Sequence, residues 1–105
     1  MGITSDRNNP GLSNIGPDGM QETYLVLSEE ERAKGFVRPV REAYQHEKCG
    51  SITTMGLAIA ETYARHPGFY GGTFCVGCHA HFPVGAAGGF VWVENGAVTD
   101  LKVGT

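Results

Sequence analysis

The first twenty residues differ from the rest of the chain because they show almost no apolar periodicity. Four glycines, two prolines and three asparagines fall in residues 1–20, and these residue types favour turns and irregular backbone. A segment with so little apolar surface to bury is expected to stay mobile. The pattern therefore predicts a flexible arm at residues 1–20 and a single domain at residues 21–105.

Regular elements are predicted from residue 24 onwards. The β-forming residues of Tyr24–Leu27 predict a first strand. Ser28 and Glu31 have the spacing of a capping box, which predicts a short helix directly after the strand. Pro39 then interrupts residues 36–46, and a proline in such a stretch predicts either two extended pieces with a kink or an edge strand.

The clearest helical pattern lies in the middle of the chain. Between Thr54 and Arg65, apolar residues recur at helical spacing and form one predicted face, made of Met55, Ala58, Ile59 and Tyr63. Thr53 or Thr54 is the predicted N-cap, and Pro67 ends the helix. We interpret the apolar face as part of the core, because such a stripe normally packs against other elements.

Two strands joined by a tight turn are predicted near the C-terminus. The residues FVWV at 90–93 and AVTDLKV at 97–103 flank the turn sequence ENG, which is typical of a β-hairpin. Together, the elements predict an α+β domain with a small, mostly antiparallel sheet and one main helix.

Chain length and cysteine count then favour a metal over disulfides as the crosslink. A domain of 105 residues with 16 glycines buries a modest core, and each glycine is entropically costly to order. Three cysteines cannot form a complete set of internal disulfides, whereas metal binding has no such parity requirement. No signal segment or apolar run of about 20 residues is evident, so we expect a soluble, cytoplasmic protein.

Two short motifs with the same spacing predict the metal site. Cys75-Val-Gly-Cys78 can direct two sulfurs at one tetrahedral ion. His46-Glu-Lys-Cys49 repeats the two-residue spacing, and Gly50 follows it. The main helix would run between these two turns. We therefore predict a structural Zn²⁺ held by His46, Cys49, Cys75 and Cys78.

Other interpretations of these residues stay open. His81 could replace His46 as the fourth ligand, in a Cys-x-x-Cys-x-x-His pattern. Cys75 and Cys78 could instead form a thiol redox pair, although the residues after them do not favour the helix that such a site normally begins. A catalytic zinc is disfavoured, because neither H-E-x-x-H nor the P-C-x-x-C of nucleotide deaminases is present. We predict that the protein is not an enzyme.

The charge distribution raises nucleic-acid binding as an alternative function. The formal net charge is -3, which is unfavourable for binding a polyanion. However, a basic cluster, formed by Arg32, Lys34, Arg38 and Arg41, falls within ten residues. A zinc-containing module that contacts nucleic acid through this cluster is therefore the alternative to a protein-binding module.

Several segments resemble a group of small zinc-ribbon-like proteins of bacteria, phages and prophages. They are GFVRPVREAYQH, CGSITTMGLAIAETYARHPGFYGGTFCVGCHAHFPV and FVWVENG with the closing VGT. The resemblance covers about residues 24–105. The resemblance implies a zinc-ribbon-like fold and a phage or mobile-element origin. It also implies a non-enzymatic role directed at a host protein, such as a defence complex of the CRISPR type.

Overall fold

A computed structural model describes residues 2–105 of the chain as an α+β fold, which confirms the predicted class. The elements are β1 (Gly2–Thr4), a 3₁₀ helix (Pro10–Ser13), β2 (Thr23–Leu25), α1 (Glu29–Arg32), β3 (Ala43–His46), β4 (Ile52–Thr54), α2 (Leu57–Arg65), β5 (Gly72–Cys75), β6 (Ala80–Pro83), β7 (Phe90–Glu94) and β8 (Ala97–Lys102). Strands thus outnumber helices, and α2 is the longer of the two α-helices.

A four-stranded antiparallel sheet forms one side of the core. Its strand order is β4-β3-β7-β8. In the β3–β7 pair, Tyr44 lies opposite Trp92 and His46 lies opposite Phe90. Because side chains alternate along a strand, these four residues share one face. Helix α2 packs against this face, where the rings of Tyr63 and Trp92 meet edge to face with centroids 5.5 Å apart.

A second antiparallel hairpin, β5–β6, packs beside this sheet. Its register pairs Thr73 with Phe82 and Cys75 with Ala80. The buried Tyr44 hydroxyl donates a hydrogen bond to the Phe74 carbonyl, so the hairpin is tied to β3 by a side chain from the sheet. This hairpin was not predicted from the sequence, and it carries two of the three cysteines.

The N-terminal segment also contains regular structure that the sequence pattern did not predict. Strand β1 pairs with β2 in parallel, with Gly2 opposite Thr23. Gly19 has a φ of +85°, and a Cβ placed there would lie 2.0 Å from the His79 carbonyl oxygen. This part of residues 2–20 therefore contacts the turn that follows β5. The mobility of the arm and the boundary at residue 20 stay predictions.

Three predicted elements differ from the structure. Helix α2 begins at Leu57 after the N-cap Gly56, not near Thr54, because Thr53 and Thr54 pair with β3 as part of strand β4. Strand β2 ends at Leu25, before the predicted Leu27, whose backbone N–H bonds to the Thr62 hydroxyl instead.

Strand β3 begins only at Ala43 and lies between β4 and β7. The edge-strand interpretation of residues 36–46 is therefore wrong. Pro39 lies upstream of β3, so its missing N–H removes no bond from the interior of the sheet.

The predicted N-cap at Ser28 and the C-terminal hairpin are confirmed, but only one half of the capping box forms, because the Glu31 carboxylate pairs with Lys34. The Ser28 hydroxyl accepts a hydrogen bond from the Glu31 backbone N–H at 3.2 Å. Asn95 and Gly96 have φ values of +52° and +79°, the backbone of the two-residue turn that joins β7 to β8. Among residues 2–105, no helix is both long and apolar enough to cross a membrane.

Candidate metal centre

The first half of the metal centre is the turn between β3 and β4. His46 is the last residue of β3, and Cys49 lies three residues later in the turn. The Gly50 backbone N–H donates to the His46 carbonyl at 2.7 Å, and the His46 N–H donates to the Ser51 carbonyl at 3.0 Å. Gly50 has a φ of +74°, a conformation that favours glycine. The glycine after Cys49 is therefore favoured by the backbone of the turn that presents the two side chains.

The second half is the turn between β5 and β6, and it repeats the first. Cys75 ends β5, and Cys78 lies three residues later. The His79 N–H donates to the Cys75 carbonyl at 2.9 Å. His79 takes the place of Gly50 and also has a positive φ, +55°. The two turns thus share the same local geometry, although the second holds a side chain where glycine is favoured.

These two turns bring four ligand atoms together. The Cys49 Sγ lies 3.4 Å from the His46 Nδ1 and 3.4 Å from the Cys75 Sγ. The Cys78 Sγ lies 3.6 Å from the same His46 nitrogen. All four ligand atoms are within 4.8 Å of one another. The structure therefore groups the four residues that the spacing predicted as a possible metal site.

The spacing of these atoms fits a tetrahedral ion better than a disulfide. With Zn–S bonds of about 2.3 Å and a Zn–N bond of about 2.0–2.1 Å, the ligands of a tetrahedral zinc lie roughly 3.6–3.8 Å apart. The closest contacts in the cluster, 3.4–3.6 Å, come near that range. A disulfide requires about 2.05 Å between sulfurs, and all three cysteines are free.

The His46 ring is held by two aromatic side chains. Its centroid lies 4.6 Å from that of Phe82 and 4.6 Å from that of Phe90, and the ring stacks on Phe90 with an interplanar angle of 22°. His46 is only 3% exposed. Its packing fixes the direction of the ring and so presents Nδ1 to the three sulfurs. Phe82 and Phe90 are supports of the site that the sequence analysis did not assign.

The two turns also touch each other through a small residue. A Cβ placed on Gly77 would lie 2.1 Å from the Ser51 Oγ, 2.7 Å from the Ser51 Cβ and 3.3 Å from the Cys49 Sγ. Residue 77 therefore has to be glycine for the turns to approach this closely. This contact was not predicted, because nothing in the local sequence pairs Gly77 with Ser51.

Local hydrogen bonding and burial shift the pKa values of two cysteines in opposite directions. Hydrogen bonds from the Ser51 hydroxyl and the Ser51 backbone N–H lower the pKa of Cys49 to about 6. Desolvation raises the pKa of Cys78 to about 11, and hydrogen bonds with Cys49 and Cys75 add to that shift. Without a metal ion, these shifts favour the thiolate at Cys49 and the protonated thiol at Cys78. A cation would favour the thiolate form of every cysteine that it binds.

The structure does not place His81 in this cluster. The His81 Nε2 is hydrogen-bonded to the Tyr24 hydroxyl at 2.9 Å, and its ring packs against Phe74 with a centroid distance of 5.4 Å. Burial lowers the pKa of His81. The alternative ligand set with His81 would require this side chain to leave both contacts.

Cys75 and Cys78 also do not have the arrangement that is typical of a thiol redox pair. Cys75 ends a strand and Cys78 lies in the following turn, whereas an activated Cys-x-x-Cys thiol normally lies at a helix N-terminus. Cys75 is completely buried. An attacking thiolate needs access to its partner, so the arrangement suits metal binding better than thiol exchange.

The predicted basic cluster is largely engaged in ion pairs. Arg32 lies 2.7 Å from a Glu61 oxygen, and Arg41 lies 3.4 Å from a Glu94 oxygen. Lys34 pairs with Glu31 at 2.7 Å, and the Arg38 Nε donates to the Thr105 carbonyl. Carboxylates beside three of these four cations weaken the field that a phosphate backbone would encounter.

Comparison of the chain with protein-family models, with curated proteins and with solved structures gave no match. The geometry of the site therefore carries the functional inference.

Proposed function

We propose that the protein is a non-enzymatic interaction module with a zinc-ribbon-like arrangement around one structural Zn²⁺. The observation that carries the proposal is the cluster of one imidazole and three thiols supplied by two opposed turns, from His46, Cys49, Cys75 and Cys78. A Cys₃His set is a common ligand set of structural zinc. Zinc would link two hairpins that are far apart in sequence and thereby stabilise the small core.

Zinc is the metal that the ligand chemistry favours. Thiolates select soft or borderline ions and disfavour Mg²⁺ and Ca²⁺, which prefer oxygen ligands. Among metals that accept a tetrahedral S₃N site, zinc has no redox chemistry and commonly fills structural positions. Bound zinc would supply folding free energy, because the unfolded chain lacks the preformed site.

The ligand count supports a structural role. Four protein ligands complete a tetrahedral shell and leave no position for a water molecule, which a catalytic zinc requires. Such a site has neither an activated water nor a free thiolate to offer a substrate. We therefore propose that the protein acts by binding a partner.

A protein partner is supported by exposed apolar side chains next to the metal centre. Ile52 directly follows the first turn in sequence and is 50% exposed, and Val76 lies within the second turn and is 47% exposed. A contiguous exposed apolar patch commonly marks an interaction surface, and these two side chains would contribute to one beside the metal centre. The resemblance to phage and prophage proteins is the reason to propose a host protein in the cytoplasm as the partner, such as a defence complex.

Metal analysis combined with a conservative ligand variant tests the proposal. Protein purified without chelator should contain about one zinc per chain, and a strong chelator should abolish its cooperative unfolding transition. Cys49→Ser should lower zinc affinity with little loss of packing, because Cys49 is exposed. Ser13→Ala is the control, because Ser13 is exposed and lies far in sequence from the four ligands. Zinc-free protein that unfolds cooperatively at the same temperature would contradict the proposal.

A further inference from the structure

A cleft of about 520 Å³ lies between the N-terminal segment and the folded core. Leu12 and Met20 line it from the N-terminal segment, Ile59 and Tyr63 from helix α2, and Phe74 from β5. Its volume falls within the roughly 300–1,000 Å³ of typical small-molecule sites. We propose that this cleft binds a neutral, ring-containing small molecule that carries a hydrogen-bonding group. This activity is separate from the proposed protein-interaction role.

The lining favours an uncharged ligand. Among the described residues 2–105, the lining consists of aliphatic, methionine, aromatic, hydroxyl, amide and glycine residues, and it contains no Asp, Glu, Lys or Arg. His81 is the one lining residue that titrates near neutral pH, and burial lowers its pKa, which favours the neutral imidazole. A charged ligand would lose its hydration here without gaining a counter-charge.

The walls of the cleft favour a flat ring. The rings of Tyr63 and Tyr70, both of which line it, lie 4.7 Å apart. The rings of Phe74 and His81 lie 5.4 Å apart on another part of the lining. Aromatic side chains provide large contact areas and preferred stacked or edge-to-face geometries for a planar guest. An aromatic ligand would use these surfaces more fully than a flexible chain would.

Three of the four tyrosine hydroxyls in the lining are already used within the protein. The Tyr24 hydroxyl accepts from the Gln21 backbone N–H at 3.2 Å and is hydrogen-bonded to the His81 Nε2 at 2.9 Å. The Tyr70 hydroxyl donates to the Leu25 carbonyl. The Tyr44 hydroxyl donates to the Phe74 carbonyl and accepts from the Thr73 hydroxyl at 3.2 Å. These hydroxyls position the walls and have little hydrogen-bonding capacity left.

Tyr63 is different. The residue is 3% exposed, and its hydroxyl has a pKa raised by burial and lowered to a smaller extent by the neighbouring Thr73 hydroxyl. A phenol offers one donor and two lone pairs, and the hydrogen of Thr73 is directed to Tyr44. The Tyr63 hydroxyl therefore retains capacity for a ligand in a largely apolar surrounding. We infer that it anchors the polar group of the guest.

The zinc-loaded full chain and the probe 2-naphthol, a neutral fused ring with one hydroxyl, test the inference. Methyl-labelled methionine gives a direct NMR readout, because Met20 and Met55 both line the cleft. We expect saturable shifts of these two methyl signals, assigned with Met→Leu variants. Naphthalene-2-sulfonate, the charged counterpart, should bind at least about tenfold more weakly because its charge must be desolvated.

A matched pair of variants tests the assigned anchor. Tyr63→Phe should weaken 2-naphthol binding about fivefold, the loss of one neutral hydrogen bond. Thr99→Val also removes one hydroxyl that is bonded within the protein, to the Trp92 carbonyl, but strand β8 contributes no residue to the cleft lining, so this variant should change binding less than about twofold. Zinc content and melting temperature check that both variants fold. Non-saturable shifts, equal binding of the sulfonate, or equal losses in both variants would overturn the inference, even if zinc binding is confirmed.

Discussion

Gly77→Ala perturbs the contact between the two metal-binding turns without touching a ligand. The new Cβ would lie 2.7 Å from the Ser51 Cβ, whereas carbon atoms prefer separations of about 3.5–4.0 Å. The turns would have to separate by about 1 Å to accept it. Ser51 Oγ, at 2.1 Å, could rotate away, but the Ser51 Cβ is fixed by the backbone.

The size of the effect follows from the cost of overpacking. Inserting a methyl group into a tight contact typically costs about 1–3 kcal/mol. In the metal-free protein, the turns can separate, so most of this cost should appear as weaker metal binding. At about 1.4 kcal/mol for each factor of ten, Gly77→Ala should lower zinc affinity by about 5- to 150-fold.

The assay is a zinc titration in competition with a chromophoric chelator. Gly71→Ala is the matched control, because a Cβ at that position meets nothing within 4 Å. Ser51→Gly removes both of the Ser51 atoms that the new Cβ would meet. In the Ser51→Gly background, Gly77→Ala should therefore lower zinc affinity much less than it does in the otherwise unchanged protein. If Gly77→Ala and Gly71→Ala bind zinc equally within about twofold, the two turns do not meet in the way described.

Three further predictions follow from the site. His46→Ala should lower zinc affinity by well over 100-fold in the same titration, whereas His81→Ala should stay within the roughly 10- to 100-fold range of a supporting residue; the reverse order would contradict the ligand set. Burial raises the pKa of Cys78 to about 11, whereas that of Cys49 is lowered to about 6, so Cys78 still carries its proton at pH 7. Zinc binding at pH 7 should therefore release protons, and zinc affinity should increase as pH rises. Calorimetry in buffers of different ionisation enthalpy measures the proton release, and a pH-independent affinity would contradict the prediction. His79 has a φ of +55°, a left-handed conformation that costs a non-glycine residue about 1–2 kcal/mol, whereas glycine adds about 0.5–1 kcal/mol of backbone entropy cost. His79→Gly should therefore raise the free energy of unfolding of the zinc-bound protein by roughly 0.5–1 kcal/mol in chemical denaturation. A loss of stability would show that the imidazole has a separate structural role.

Local sequence signals predicted the parts of the fold that depend on local chemistry. The N-cap at Ser28, the turn at Asn95–Gly96 and the two Cys-containing turns all reflect residue types acting within a few positions. The glycine after Cys49 is one example, because the positive φ at Gly50 is a property of the turn itself. The metal identity and the ligand set stay predictions, although the structure brings the four proposed side chains together.

The parts that could not be predicted depend on pairing between distant residues. Thr53 is an acceptable helix cap by type, but its pairing with Tyr44 places it in a strand. The choice between His46 and His81 is similar. The register of β3 places His46 opposite Phe90 on the core face, whereas His81 lies opposite Phe74 in the other hairpin. Spacing alone contains no information about either register.

X-ray absorption at the zinc edge, on protein purified without added metal, tests the central claim most directly. We expect about one zinc per chain with roughly three sulfur ligands at about 2.3 Å and one nitrogen ligand at about 2.0–2.1 Å. The nitrogen contribution should disappear in His46→Ala and persist in His81→Ala. A metal-free protein, or a zinc bound mainly by oxygen and nitrogen, would contradict the claim that His46, Cys49, Cys75 and Cys78 form a structural zinc centre.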